Sequence, residues 1–530
     1  MTITSKVSVF ENTDFSNRTY NSLLIALSVV AFLIVLLTAP GSEIGLTVDS
    51  YNYIAASKSI LNGEGYLRFT SDIPYVHWGP LYPIFLAGLN LIERVIPIDF
   101  PLLVHIANAI IYSLIVFTSG YLFRRYLRSH ILGIVAVVAV VFSIPIYYVS
   151  NYVWSELLFI FLTILLALQW PKILASEATP LDHTLMALLI ILTTLQRFAG
   201  YSLVPIIMLS VLLFRPCDTW IKRTRLAVQY ALTGIPMFLW LMYGQIVYYN
   251  RQARGEVVDK ILDNLIRMPG LLTEWFLPPE LQNRLIYILF SLILGIVLFG
   301  IIVNYYRLYR NLSVYPDLRS YPVLIAFYVV TFLLGLLVAF ISARAPIDIR
   351  HMSPVHVFVV LLVFYVIDLF LQRTTRQAIK TTVLVFMMIW TIYPIVSVFN
   401  RMQLLNRECC IANTIRDVDV IQWLRRNAIG PGDYYSNTPL PSVYTPLTVY
   451  AAPAKLDQWS TLLDVDKNVY LIWFNDPRPD LVYHGMSRYF YPLDFDIDAL
   501  NDLAEVTLVA DLDDGQIYRL QPDTLSKIGG

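Results

Sequence analysis

The chain has 530 residues, of which 57% are hydrophobic and only 14% are charged, and its formal net charge is zero. Its mean hydropathy is +0.61. These values exclude an ordinary soluble domain, and the balanced charge gives no sign of a nucleic-acid partner. Apolar stretches of about 20 residues, the length that crosses a bilayer, recur through the first three quarters. The sequence therefore predicts an all-α polytopic membrane protein.

In chain order, the apolar stretches predict about eleven transmembrane helices. They lie near residues 21–41, 102–122, 131–149, 154–170, 184–197, 200–214, 227–248, 284–304, 321–341, 353–371 and 381–398. With a cytoplasmic N-terminus, the cytoplasmic loops read FRRYLRSH, RPCDTWIKRTR, YYRLYRNLS and QRTTRQAIK. Each carries Lys or Arg with little acid, as the positive-inside rule requires. We therefore expect a multi-pass protein of the cell membrane whose N-terminus is cytoplasmic.

The predicted external loop at residues 42–101 is rich in polar and aromatic residues. After Asp49, the stretch SYNYIAASKSIL has apolar residues spaced for a helix lying in the membrane interface. A turn follows, and Pro80 starts a second amphipathic helix. A loop of this length and composition indicates a function outside the bilayer.

Residues 401–530 differ in character from the membrane domain predicted for residues 1–400. They hold 18 Asp and Glu against 11 Lys and Arg, a net charge of −7 that suits an external position. IRDVDVIQWLRRN and DIDALNDLAEV have the pattern of helices, whereas NVYLIWFN and IYRL have that of strands. The alternation predicts a small extracytoplasmic α/β domain.

Five motifs, in order, resemble the GT-C superfamily of integral-membrane glycosyltransferases, which includes protein O-mannosyltransferases and aminoarabinose transferases. The motifs are DSYNYIAA, HWGPLYP, VWSELLFIFLTILLAL, LTTLQRFAGYSLVP and DIRHMSPVHVFVVLL. The match covers roughly residues 15–400. Two positions depart from the relatives: Ser50 stands where many O-mannosyltransferases carry Glu, and the stretch before Pro80 lacks the Lys of aminoarabinose transferases. The resemblance is therefore to the superfamily as a whole rather than to either of these two groups.

The resemblance implies transfer of a sugar from a polyprenyl-phosphate donor to an external lipid, glycan or protein acceptor. The acceptor needs a base within hydrogen-bond reach, and Asp49 at the membrane edge is our first candidate. The alternative is that Asp49 caps the helix that follows it. Glu156, at the start of a span on the same side, is a second catalytic candidate. Its alternative is an interfacial residue paired with Arg or with the helix N-terminus.

The departing lipid phosphate needs cations. Arg350 stands at the outer mouth of the span at 353–371, and an arginine fork gives phosphate two charge-assisted hydrogen bonds. We expect Arg350 to be the main phosphate ligand, with Asp348 orienting its guanidinium. Arg197, at the QRFAG break, is a second candidate unless it only snorkels to the interface. Lys58 is a third, unless it lies on a solvated helix face.

The remaining candidates bind the sugar or the acceptor. They are Tyr53, His77, Trp78, Tyr82 and His351. His77, His351 and Asp49 could together act as ligands of a divalent cation. Two histidines in separate loops are weak evidence for a metal site, and no cofactor is predicted.

Two rival functions are a flippase for a lipid-linked substrate and a membrane scaffold whose C-terminal domain binds a partner. No inverted repeat with paired broken helices is visible, which argues against a transporter. A scaffold would have no need of Asp49.

Overall fold

The computed structural model describes residues 17–38, 44–69, 71–74, 76, 78–175, 177–215, 219–248, 258–311, 322–343, 347–408, 418–427, 429–463, 467–475 and 493–522. The helices are α1 (Asn17–Leu36), α2 (Val48–Leu61), α3 (Leu81–Glu93), α4 (Phe100–Tyr126), α5 (His130–Val141), α6 (Ile144–Ser150), α7 (Glu156–Leu174), α8 (Pro180–Gln196), α9 (Leu203–Phe214), α10 (Trp220–Leu232), α11 (Ile235–Tyr248), α12 (Val258–Thr273), α13 (Arg284–Asn311), α14 (Val323–Ala343), α15 (Ile349–Met352), α16 (His356–Arg373), α17 (Gln377–Trp390), α18 (Ile392–Glu408), α19 (Asp419–Arg426), α20 (Leu440–Tyr444) and α21 (Leu456–Leu462). The strands are β1 (Leu67–Arg68), β2 (Ser71–Pro74), β3 (Asp433–Ser436), β4 (Val449–Ala451), β5 (Val469–Phe474), β6 (Ala504–Leu512) and β7 (Gly515–Pro522).

The helices confirm the prediction of a helical multi-pass membrane protein. In the part of the chain that the structure describes, six helices are long and apolar enough to cross a membrane. The number rises to eight if each of two bent helix pairs is counted as one span. Three further expected spans coincide with shorter apolar helices at Pro180–Gln196, Phe198–Phe214 and Val323–Leu337. The count of about eleven therefore stays a prediction.

Helix α4 forms the centre of the first half of the bundle, with α1, α5 and α7 packed around it. Helix α1 approaches α4 closely at Gly120, where a Cβ atom would lie 2.2 Å from the side chain of Leu24. The Tyr20 hydroxyl donates a hydrogen bond to the Gly120 carbonyl at 2.8 Å. A small residue at a helix crossing gives close backbone packing where lipid supplies little hydrophobic driving force.

The loop at 42–101 folds into α2, the antiparallel pair β1–β2, and α3. Helix α2 begins after Thr47, whose backbone N–H donates to the Ser50 hydroxyl at 3.0 Å. Pro80 is the N-cap residue of α3, and its ring fixes the backbone at a φ of −75°, which is close to that of a helix. The two helices pack against each other, so the loop is a compact unit.

The C-terminal residues form the expected small sheet, with strand order β4-β3-β5-β7-β6. Strands β3, β4 and β5 are parallel, and β7 pairs antiparallel with β5 and β6. The helix predicted for DIDALNDLAEV is wrong. Only Ile497–Asp502 is helical, as a 3₁₀ turn, and β6 begins at Ala504. The tertiary reason is that Val506 pairs with Leu520 of β7, and strand pairing overrides local helical preference.

One apolar core joins the loop at 42–101 to the C-terminal sheet. The buried side chains of Tyr51, Ile54 and Phe69 lie in the same cluster as those of Leu440 and Val443. The loop and the C-terminal residues therefore lie on one side of the helical bundle.

Candidate active site

Four charged side chains from four separate elements alternate in sign and form one contiguous group, which we call the ion-pair cluster: Asp49, Arg350, Glu156 and Arg197. Arg350 Nη1 lies 2.8 Å from Asp49 Oδ2. Arg197 Nη1 lies 2.7 Å from Glu156 Oε1. Arg350 Nε lies 3.9 Å from the same Glu156 oxygen and links the two pairs.

Asp49 lies in the first turn of α2, and Thr47 occupies the N-cap position. Asp49 is therefore not the N-cap residue of this helix. Its carboxylate instead accepts a hydrogen bond from Arg350. An acid in the first turn is also stabilised by the positive end of the helix dipole. Local sequence thus places the carboxylate, and a residue 301 positions later pairs with it.

Glu156 is the first residue of α7, and its side chain is only 2% exposed. A buried carboxylate requires a partner, and removing one member of a buried ion pair typically costs about 3–5 kcal/mol. Arg197 supplies the charge from the break between α8 and the 3₁₀ turn Phe198–Ser202. It also donates to the Ser155 hydroxyl at 2.7 Å. This half of the cluster is a closed, satisfied ion pair.

The Asp49–Arg350 half of the cluster is more open. The Arg350 and Asp49 side chains are 17% and 20% exposed, against 2% for Glu156. Arg350 Nε is buried without a hydrogen-bond partner, because Glu156 and Asp348 oxygens lie at 3.9 and 3.6 Å. This half is therefore the more accessible part of the cluster, and Arg350 Nε keeps a donor that no hydrogen bond uses.

Arg350 is presented by a single helical turn, α15, which Asp348 caps by accepting from the His351 backbone N–H at 3.1 Å. Burial opposes ionisation of Asp348, but the hydrogen bond from the His351 ring and the charge of Arg350 outweigh it and lower the pKa of Asp348. Asp348 thus stays ionised beside the guanidinium. Asp49 is nevertheless the nearer partner of Arg350.

Two tryptophans face the arginines. The Arg350 guanidinium carbon lies 4.8 Å from the centre of the Trp154 ring, and that of Arg197 lies 5.9 Å from the Trp78 ring. Trp154 also donates through Nε1 to the Thr47 hydroxyl at 2.7 Å. A ring face attracts a cation and fixes the plane of a guanidinium. Trp154 therefore touches both the arginine and the residue that starts the helix of Asp49.

A glycine explains how Trp78 reaches the cluster. A Cβ atom at Gly79 would lie 2.2 Å from the backbone oxygen of Leu195. Only glycine lets this segment of the loop lie directly on the end of α8. Trp78 and Arg197 are thereby brought together from segments distant in sequence.

The other predicted residues divide into three groups. Tyr53 lies beside the cluster, since its hydroxyl is 3.2 Å from that of Ser155, and its ring meets Tyr82 edge-to-face at 4.9 Å. Burial, with the nearby negative charge of Asp49, raises the pKa of Tyr53, so its hydroxyl stays protonated. His351 is bound to Asp348. His77 lies outside the described residues.

Lys58 is not brought to the cluster. Its ammonium donates to the backbone oxygens of Thr445 at 2.7 Å and Leu447 at 3.2 Å. Among the described residues, no group of three or more His, Cys, Asp or Glu side chains is arranged to hold a metal ion.

Comparison with known proteins gives structural similarity only. No family model matches the chain, and no curated protein matches its sequence. ArnT from Cupriavidus metallidurans, bound to undecaprenyl phosphate, is 14% identical over 95% of this chain and 98% of its own, with a TM-score of 0.47. The archaeal oligosaccharyltransferase AglB from Archaeoglobus fulgidus, in complex with an inhibitory peptide and a dolichol-phosphate, is 12% identical over 96% and 75%, with a TM-score of 0.49.

The Saccharomyces cerevisiae O-mannosyltransferase Pmt1–Pmt2, bound to its sugar donor, is 15% identical over 45% of this chain and 35% of its own, with a TM-score of 0.34. These solved structures are GT-C glycosyltransferases, the superfamily that the motifs resemble. At identities below 25% and TM-scores below 0.5, no conclusion about donor, acceptor or residue roles follows from them.

Proposed function

We propose that this protein is a membrane glycosyltransferase that moves a sugar from a polyprenyl-phosphate donor to an external lipid, glycan or protein acceptor. The observation that carries the proposal is the ion-pair cluster, with a carboxylate and an arginine at its open end. These two charges are what the reaction requires: a base for the acceptor and a cation for the departing phosphate. The motifs of the sequence supply all four charged residues.

In the proposed reaction, Asp49 takes the proton of the acceptor hydroxyl. The acceptor oxygen attacks the anomeric carbon of the sugar from the face opposite the phosphate. The bond between that carbon and the phosphate oxygen breaks, and its electron pair stays on the polyprenyl phosphate. The products are the glycosylated acceptor, the free polyprenyl phosphate and protonated Asp49, which returns its proton to water.

Arg350 stabilises the leaving phosphate in this scheme. Its Nη1 donates to Asp49, and its side chain is 17% exposed, so the guanidinium is accessible on the Asp49 side. The face of Trp154 holds the guanidinium plane. A phosphate that enters beside Asp49 meets a fixed fork of donors, which stabilises developing charge without reorganisation.

Glu156 and Arg197 support the open half rather than contact the reacting atoms. Glu156 is too deeply buried to reach an acceptor. Its carboxylate pairs with Arg197 at 2.7 Å, and the same oxygen lies 3.9 Å from Arg350 Nε. We propose that the pair sets the position of Arg350.

We further propose that eleven spans place the N-terminus in the cytoplasm and residues 42–101 and 401–530 outside. The shared core requires the two external parts to lie on one side, so an even number of crossings must separate them. Ten of the eleven expected spans lie between them. The basic loops supply the direction.

Labelling of single cysteines tests this topology in a variant that lacks Cys217, Cys409 and Cys410. Both test positions, Glu505 and Lys222, are exposed. In intact cells we expect Glu505→Cys to react with a membrane-impermeant maleimide, and Lys222→Cys to react only after permeabilisation. The reverse pattern would place the candidate active site on the cytoplasmic side.

Mass spectrometry of envelope lipids, glycans and glycoproteins tests the function in cells with and without the gene. Loss of the gene should remove one glycosylated species and raise the level of one polyprenyl-phosphate sugar, because the donor is no longer consumed. An unchanged profile, with the gene expressed in the control cells, would contradict the proposal.

A further inference from the structure

Lys58 is a buried cation that the proposed reaction does not use. Its side chain lies on α2, nine residues after Asp49, and Lys58 is 6% exposed. Both acceptors of its ammonium are backbone oxygens from the connection between α20 and β4, those of Thr445 and Leu447. A buried charge is tolerated only when it is hydrogen-bonded. Here the C-terminal residues supply those bonds.

Three neighbouring contacts join the residues that follow α2 to the end of the same connection and to β4. Asn62 Nδ2 donates to the Thr448 hydroxyl at 3.0 Å. The Tyr450 hydroxyl donates to the Glu64 carboxylate. The Ala451 backbone N–H donates to the Phe69 oxygen at 3.0 Å, which continues the contact along β4. We call these contacts, with those of Lys58, the clasp.

The charge state of Lys58 suits a clasp at neutral pH. Burial lowers the pKa of Lys58 to about 8, while the carboxylate of Glu93 opposes that shift. The ammonium is therefore protonated at pH 7, and its two hydrogen bonds to carbonyl oxygens are charge-assisted. A lysine whose role was only to cover a solvated helix face would instead project into water.

We propose that Lys58 is a positioning residue that fixes α2, and with it Asp49, on the C-terminal domain. The C-terminal domain is then part of the scaffold of the transfer site. This inference rests on the proposed function, since it concerns the placement of the proposed base.

The coupling is mechanical. At about 1.5 Å per residue, the nine residues from Asp49 to Lys58 span roughly 14 Å of a single helix. The clasp fixes α2 at Lys58, and the hydrogen bond from Arg350 fixes it at Asp49. Misplacement of a catalytic group by about 1 Å can cost roughly 100-fold in rate. Loss of the contacts at the Lys58 end of the helix should therefore displace Asp49.

The test compares purified full-length variants by their kinetics and by amide hydrogen exchange. Lys58→Met keeps an unbranched chain of similar length and removes the ammonium. We expect kcat to fall about tenfold or more, the KM for donor to change less than about twofold, and exchange in residues 48–61 to rise. Thr448→Val removes only the hydroxyl that accepts from Asn62 and should give the same pattern with a smaller effect. Lys455→Met, at an exposed position, is the matched control and should change none of the three.

Three outcomes would overturn the inference. A raised KM for donor with unchanged kcat would make Lys58 a phosphate ligand. Unchanged kinetics in both Lys58→Met and Thr448→Val would show that the clasp does not position Asp49. Unchanged exchange in α2 would show that the clasp does not hold the helix. Since exchange needs no activity, failure of the clasp is distinguishable from failure of the proposed function, which would appear as an inactive wild type.

Discussion

Asp49→Asn is expected to lower sugar transfer by about 10²- to 10⁴-fold, the range that a positioned base contributes. Asn keeps the shape of the side chain and can still accept a hydrogen bond from Arg350, but it cannot accept the acceptor's proton. Thr47 and Ser50 cap the N-terminus of α2, so formation of this helix does not depend on the Asp49 carboxylate. The measurement is turnover of a polyprenyl-phosphate sugar by purified protein, with thermal unfolding as a check on the fold.

Asp99→Asn is the matched control for this variant. Asp99 also pairs with an arginine, Arg425, at 3.3 Å, and it lies outside the ion-pair cluster. We expect near-normal turnover from Asp99→Asn. Near-normal turnover from Asp49→Asn would remove Asp49 from the mechanism and favour the flippase.

Arg350→Lys is expected to lower kcat by about 10²-fold, comparable to the loss of one donor to a developing negative charge. The donor KM should also rise. A lysine ammonium cannot span the positions of Nη1 beside Asp49 and Nε beside Glu156, and it loses the stacking on Trp154. Initial rates across a donor concentration series separate the two parameters.

Two further variants calibrate the Arg350 result. Arg197→Lys should cost about tenfold or less, because the Arg197 guanidinium is already committed to Glu156 and Ser155. Arg373→Lys, exposed at the far end of α16, should have no effect. A silent Arg350→Lys beside an inactive Arg197→Lys would move the phosphate site to the break before Phe198.

The sequence predicted the helical spans and the strands at 469–474 and 515–522 because hydrophobic periodicity is a local signal. It failed at residues 504–506, where a helix was predicted and pairing with β7 instead forms the start of β6. Charged residues at the mouths of spans stood out because burying them is costly. That marked all four members of the cluster, and pairing of Glu156 with an arginine was one of the two expected roles. The sequence did not predict which arginine pairs with Glu156, or that Asp49 pairs with Arg350, because both depend on the packing of α2, α7, α8 and α15.

Trp154 and Ser155 were missed, although they directly precede Glu156. A tryptophan near a span end is common at membrane interfaces, so its contact with Arg350 left no distinguishing signal. Lys58 had the right charge for a phosphate ligand. Its actual partners are backbone oxygens 387 and 389 residues away, and backbone acceptors carry no sequence signature.

The most direct test of the proposed function uses purified protein in liposomes, with a polyprenyl-phosphate donor labelled in both the sugar and the lipid. An extract of envelope lipids and proteins supplies the acceptor. We predict that sugar label passes to an acceptor while an equal amount of free polyprenyl monophosphate appears. Movement of the doubly labelled lipid across the bilayer with its sugar–phosphate bond intact would contradict the transferase and establish a flippase.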